Sequence, residues 1–423
     1  MRYSLLKKLI AAVVILSYAA GMARAEILAI KGGTVHTLGK KGTLKNAIIL
    51  IENGLIKAIG KNITIPKGAK VIDATGKIII PGAMHSGSRL ALSEISLTED
   101  SNDHSGKKSP LGAAFDVRYG LKSNSVVVAD NRRLGVTHAL TQPSESDGIF
   151  YGSSVVISLT GKADMVFAKG PMIANPANGG NRSVAWGKIR LILDQVNYYD
   201  QNRARIMKGE GPRDFLLSGY NMEALVPVLK GKQKLVLMVN SEDDIRQAIA
   251  LKKDYDLDLI LSGAVESWKV ARELAKSNIP VIINPRDDLP GSFGEMGATL
   301  HNAAFLEEAG VKFAISPGGM AVNHNAAALY QMAGLAVAHG LSWERALEAI
   351  TISPAQIFGI DKSFGSLEKG KRANLVIWDG DPLEVSSHTS FVIVAGVNYP
   401  LVSRRTMLRD RYLGLHKKPF AYH

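Results

Sequence analysis

Cysteine is absent from this chain of 423 residues. Its absence excludes disulfide frameworks, thiolate-held zinc or iron–sulfur centres, and any thiol nucleophile. There is no Gly-x-Gly-x-x-Gly or Walker sequence, so the usual signals of a dinucleotide or nucleotide-phosphate site are missing. Tandem repeats, low-complexity tracts and arginine-rich stripes are missing too. What is present is ordinary globular material: 46% apolar and 21% charged residues, enough for a large core and incompatible with wholesale disorder. The length suits two or three domains. The 41 glycines suit many tight strand-to-helix turns.

The formal charge is +13, part of which belongs to the first 25 residues. Arg2, Lys7 and Lys8 precede an apolar run from Leu9 to Ala20, followed by the small-x-small site Ala23-Arg24-Ala25. The run is shorter than the ~20 residues a spanning helix needs. It reads as a secretory signal peptide over residues 1–25, with a retained N-terminal anchor as the alternative. Cleavage removes Arg2, Lys7, Lys8 and Arg24 and no acid. The expectation is an exported, periplasmic protein with a basic but ordinary surface, no nucleic-acid partner and no stable membrane span after cleavage.

Residues 26–80 read as short strands punctuated by Gly32-Gly33, the hairpin signal Asn53-Gly54, and Gly76. From about residue 120, apolar strands alternate with amphipathic helices. KLVLMV is followed by SEDDIRQAIALKKD, DLILSG by ESWKVARELAKSN, and VKFAIS by NAAALYQMAGLAVAHG. Ser241 with Asp244 marks one helix start, and Ser353-Pro354 another, read as an N-cap followed by proline at the first helical position. Steps of this kind predict successive βα units and an α/β fold, a (β/α)8 barrel over residues 81–364. Residues 365–423 return to strands. With residues 26–80 they form the expected β-sandwich, one small domain built from both ends of the mature chain.

The junctions carry a resemblance. VIDATGKIIIPGAMHSGSRL, GVTHALTQP, HNAAALYQMAGLAVAHGLSWERALEAITISPAQIFGI and FGSLEKGKRANLVIWDGDPLE together resemble the amidohydrolase superfamily, on its imidazolonepropionase-like branch. The closing string matches the superfamily's Gly-Ser-Leu-Glu-x-Gly-Lys-x-Ala-x-Leu-Val-x-Trp-Asp-Gly-Asp-Pro-Leu. The resemblance implies hydrolysis of amide or cyclic-amide C–N bonds by zinc or another divalent metal. Its ligands would be a His-x-His after barrel strand 1, a histidine after each of strands 5 and 6, and an aspartate after strand 8 that doubles as general base. Such a metal lowers the pKa of bound water and polarises the carbonyl.

Those positions hold other residues here. PGAMHSGSR places Gly87 and Arg89 at the His-x-His, with His85 replacing an aspartate. Met238 follows strand 5, Ser262 follows strand 6, and Ser316-Pro317-Gly318 stands where the aspartate belongs. No counterpart of the carboxylated lysine of two-metal relatives aligns between Asn181 and Met238. Glycine offers no donor, methionine is a soft thioether, and Arg89 brings a permanent positive charge. The expectation is therefore no metal and no cofactor.

Several candidates remain open. His85 and His138, placed by pattern at the mouths of strands 1 and 2, could form part of a relocated metal site or be structural histidines. Arg89 could bind a carboxylate or phosphate bidentately, or form an ion pair with Glu94 or another acid. Asn240, Ser262, Asn284 and Ser316, with Thr141 and Gln142, either bond a ligand or close loop turns. Ser262 and Ser316 lack the Gly-x-Ser-x-Gly elbow of a nucleophile. Asp287 and Asp288 are adjacent and read as loop. Two functions follow. One is a rewired small-molecule hydrolase. The other is a pseudoenzyme that binds an anionic small molecule or partners an active homologue, and homo-oligomerisation is the further option.

Overall fold

The computed structural model describes residues 27–95, 98–211, 214–318 and 322–413, so the signal-peptide segment lies outside the described residues. The chain opens with β1 (Ile27–Lys31), β2 (Thr34–His36), β3 (Thr43–Lys45), β4 (Ile48–Glu52), β5 (Leu55–Gly60), β6 (Lys70–Asp73) and β7 (Ile78–Pro81). Four of these make a sheet in the order β5-β4-β1-β6. Asn53 and Gly54 join β4 to β5 with φ of 52° and 78°, the left-handed pair that a two-residue hairpin turn demands.

Pro81 leads directly into an eight-stranded sheet arranged in chain order. It comprises β8 (Ala83–Ser88), β9 (Val136–Thr141), β10 (Phe150–Ser158), β11 (Val166–Ala174), β12 (Leu235–Val239), β13 (Leu259–Gly263), β14 (Val281–Ile283) and β15 (Phe313–Ile315). This mixed α/β barrel sheet is nearly closed: Ser316 beyond β15 reaches His85 of β8 (Oγ to Nδ1, 3.3 Å). A strict (β/α)8 barrel is not what forms. β10 is antiparallel to both β9 and β11, while the other ladders are parallel. The reason is connector length. Residues 142–149 are too few for the dozen or more that a parallel crossover requires, so the chain folds straight back.

Helices cover the sheet from outside, except the one over Ile352–Ile357, whose Ala355 and Ile357 join the inward-facing layer. They are α1 (Val126–Arg132), α2 (Arg182–Met207), α3 (Gly219–Leu229), α4 (Glu242–Tyr255), α5 (Ala271–Lys276), α6 (Asn302–Glu308), α7 (Leu329–Ala338), α8 (Trp343–Ala349) and α9 (Ile352–Ile357). The α9 start differs from expectation. It begins at Ile352 after Thr351, so Pro354 occupies the third helical position, where the missing N–H is still one that has no intrahelical partner. For α4 the expected cap is present. Ser241 accepts from the backbone N–H of Asp244 at 3.2 Å, and its hydroxyl donates to the Asp244 carboxylate at 2.7 Å. Ser241→Ala is expected to cost about 1 kcal/mol, measured by denaturant unfolding.

Strand alternation creates two cores. Leu235, Leu237 and Val239 of β12 point out to Ile245, Ala248 and Leu251 of α4. Facing inward, Met84, Leu140, Val156, Ile173, Val236, Ile260, Ile282 and Ala314 supply one side chain from every strand to a filled apolar layer. That layer is the floor on which the site is built.

The chain then returns as β16 (Leu375–Trp378), β17 (Thr389–Val394) and β18 (Val397–Tyr399), followed by α10 (Arg404–Leu413). β16 pairs with β7, giving a six-stranded sheet in the order β18-β17-β16-β7-β2-β3. Ile30, Ile49, Ile51 and Ile72 from the four-stranded sheet pack against Val35, Ile79, Leu375 and Ile377 from this one.

Candidate functional site

Inward-facing positions on a strand recur every second residue, so the residues two places beyond the apolar floor line the barrel mouth. Val236 is followed by Met238 and Asn240, Ile260 by Ser262, Ile282 by Asn284 and Ala314 by Ser316. All of them line one cavity of about 1030 Å³, together with Gly87, Arg89 and Gly318. Eight of the ten expected site residues therefore meet in one place.

The two histidines do not line it. His85 is fully buried, and its Nδ1 lies 3.2 Å from the donating N–H of Gly87 and 3.3 Å from Ser316 Oγ. His138 corrects the sequence reading more sharply. It precedes Leu140 on β9 and so lies on the far side of the apolar floor. Its ring is held 4.1 Å from Phe364 and 4.6 Å from Phe167. Burial, aided by the nearby Arg372 charge, pushes its pKa down to about 3. The strand runs on to Thr141, and Gln142, not His138, stands at the mouth. A metal site at the mouth built on His85 and His138 is not what the fold assembles.

Arg89 is half-buried in the cavity wall. Burial lowers its pKa, partly offset by the charge of Glu145. Its side chain makes no hydrogen bond or ion pair among the described residues. The expected alternative partner, Glu94, instead accepts from the Val126 backbone N–H at 3.2 Å. Glu145 is occupied by Lys107 at 2.5 Å, which holds its pKa low. Behind Arg89, His104 shares a 2.6 Å hydrogen bond with Ser144, and burial together with the Arg89 charge lowers its pKa.

Sequence reasoning missed two carboxylates in the cavity. The loop after β14 carries Asp287 and Glu295 into the cavity lining. Asn284 Nδ2 donates to Asp287 at 2.6 Å, Asn240 Nδ2 donates to Glu295 at 2.6 Å, and the Gly291 N–H donates to Glu295 at 2.9 Å. Asn240 thus orients an acid, and Asn284 does both: its Nδ2 orients Asp287 while its Oδ1 accepts the Arg286 N–H at 3.4 Å and closes the turn. Burial, reinforced by the Glu295 charge, raises the Asp287 pKa. At the rim, Asp244 takes hydrogen bonds from Trp186 (2.8 Å), Arg182 (2.9 Å) and Ser241. Burial pushes its pKa up, but these bonds outweigh it and the net shift is down.

The donor set does not suit a divalent metal. Gly87, Arg89, Met238 and Ser262 occupy the strand-end positions, and among the described residues no three His, Asp or Glu side chains are grouped to hold one.

A model of the amidohydrolase family matches residues 290–403, the end of the barrel and all three returning strands. The chain superposes on an amidohydrolase from Thermotoga maritima with a TM-score of 0.78 and 24% identity, covering 89% of this chain and all of that one. Amidohydrolase tasK of Hapsidospora irregularis is 21% identical over 380 residues, 80% of this chain but 38% of its own length. A 55-residue segment is 49% identical to human dihydropyrimidinase-related protein 5, covering 13% of this chain and 9% of that protein. Together these likenesses give the chain an amidohydrolase-type fold.

Proposed function

We propose that the chain is an amidohydrolase-family barrel whose mouth serves as a metal-independent site for a small carboxylate-bearing molecule. One observation carries this reading. The half-buried Arg89 lines the cavity where the superfamily places a metal-binding histidine, and among the described residues no acid forms an ion pair with it, Glu145 offsetting only part of its charge. A partly desolvated cation is stabilised by an anion that replaces its lost water, and the planar fork suits a carboxylate. A dication beside Arg89 would be repelled.

A rewired hydrolase is the second reading, favoured by Asp287. It shares one cavity with Glu295, and burial with the Glu295 charge raises its pKa, so two carboxylates in different surroundings stand together there. Under either reading the imidazolonepropionase-like branch and pairing with an active homologue stay as proposals, and export rests on residues 1–25 alone. Among the described residues no helix is long and apolar enough to cross a membrane.

Elemental analysis of the purified protein, with assays on N-acyl amino acids and dipeptides before and after chelation, tests both readings. Stoichiometric zinc with turnover lost on chelation overturns metal independence, whereas turnover that survives chelation supports the rewired hydrolase. For the binding reading, Arg89→Ala is expected to weaken carboxylate ligands by roughly 30-fold or more in a thermal-shift titration, as truncating a buried charge partner does. Unchanged affinity would refute it.

A further inference from the structure

The charged groups of the cavity divide by whether they are paired. Arg182 and Asp244 neutralise each other at the rim, 2.9 Å apart. Arg89, Asp287 and Glu295 have no ion-pair partner among the described residues, although all three line the same cavity. They are also segregated. Arg89 follows β8, while the two carboxylates belong to the loop after β14 and are fastened to Asn284 and to Asn240 at the end of β12. The Glu295 anchor is therefore four strands from β8 in an eight-stranded barrel sheet, the opposite side of the mouth, while the Asp287 anchor at the end of β14 is two strands from β8 across the barrel's closure. The donors on the carboxylates are amides, which fix their direction without cancelling their charge. Arg286, exposed at the cavity's edge, offsets part of the Asp287 charge but makes no ion pair with it. Between the two walls the lining is neutral: Met238, Ser262 and Ser316.

A ligand bearing only negative charge would satisfy Arg89 and be repelled by the far wall. One bearing only positive charge would meet the reverse. We infer that the cavity binds a zwitterion, a free amino acid or short peptide whose carboxylate lies on Arg89 and whose ammonium lies on Asp287 and Glu295. The inference rests on the carboxylate reading of Arg89 and adds the second charge. A volume of about 1030 Å³ accommodates a dipeptide with its side chains. The three donors of an ammonium group match two carboxylates that line the cavity, since each carboxylate oxygen can accept more than the one amide bond it has at most.

The test uses the full-length protein, thermal-shift screening and calorimetry. The probes are the proteinogenic amino acids and the alanyl-X dipeptides, each compared with its N-acetyl and C-amide derivatives. We expect at least one zwitterion to bind, with either derivative weaker by roughly 10-fold or more, since each loses one charged hydrogen-bond partner. The double variant Asp287→Asn, Glu295→Gln should keep the N-acetyl form's affinity and lose the preference for the free amine. Arg89→Ala should weaken both forms. Circular dichroism of each variant checks that the fold is intact. If the N-acetyl form binds as tightly as the free amine while Arg89→Ala still abolishes binding, the zwitterion inference fails and the carboxylate reading stands. Binding by anions alone, with no zwitterion bound, also overturns it. Ligand binding untouched by Arg89→Ala defeats the underlying reading.

Discussion

Gly152→Ala is expected to destabilise the protein by about 3–6 kcal/mol. Gly152 lies in β10, the reversed strand, with φ of +120°. A methyl group there would sit 2.3 Å from the carbonyl oxygen of Phe115 and 2.9 Å from its carbon. Backbone cannot rotate away as a side-chain tip can. That carbonyl also accepts the Ser153 N–H at 2.7 Å, so moving it breaks a bond one residue along. Overpacking contributes about 1–3 kcal/mol, the backbone conformation about 1–2 and the lost bond about 1. The Phe115 ring also packs near Gly106, whose N–H donates to Glu145 O, so the strain is passed toward the segment that carries His104 behind Arg89. Gly148→Ala is the control: a methyl group there meets nothing within 4 Å, and the change should stay within about 0.5 kcal/mol. Urea unfolding of both variants decides the matter. Equal midpoints would mean that β10 does not rest on the Phe115 backbone.

How far the sequence reaches is visible in particular residues. KLVLMV followed by SEDDIRQAIALKKD predicts β12 and α4 almost residue for residue, because strand alternation, an N-cap serine and helical periodicity agree there. The direction of β10 was not legible. Alternation reports which face is buried but not which way a strand runs, and direction followed from a short connector instead. The strand-end residues Met238, Asn240, Ser262, Asn284 and Ser316 were legible because the same two-residue register that fills the barrel floor carries on to its mouth. Asp287 and Glu295 were not. Their role depends on Asn284 and Asn240, and the Glu295 contact spans 55 residues of sequence that no local pattern links. His138 was misplaced by two inward-facing positions: Leu140 of the floor separates it from Gln142 at the mouth, and a strand's end is the least certain part of any sequence reading.

His138 makes the other large prediction. Between pH 6 and pH 4 the protein should lose about 2–3 kcal/mol of stability that a His138→Leu variant does not lose. Unfolded, the imidazole titrates near its ordinary value of 6.5; folded, burial holds it neutral down to about 3. Across that window the unfolded chain binds a proton that the folded chain refuses. Stability is therefore whole above pH 6.5 and drains away as pH falls. The ring has little to lose by replacement: among the described residues its Nε2 has no hydrogen-bond partner, its Nδ1 has only Thr137 Oγ1 at 3.2 Å, and both flanking rings are phenylalanine. Carboxylates titrating in the same range act on both proteins, so the difference between the two curves isolates the histidine. Parallel curves from urea unfolding at a series of pH values would sink the prediction. The same pair of proteins also tests the layering of the barrel. With the apolar floor between His138 and the cavity, ligand affinity at pH 7 should be equal in the two. A change there would mean that the underside of the floor communicates with the mouth.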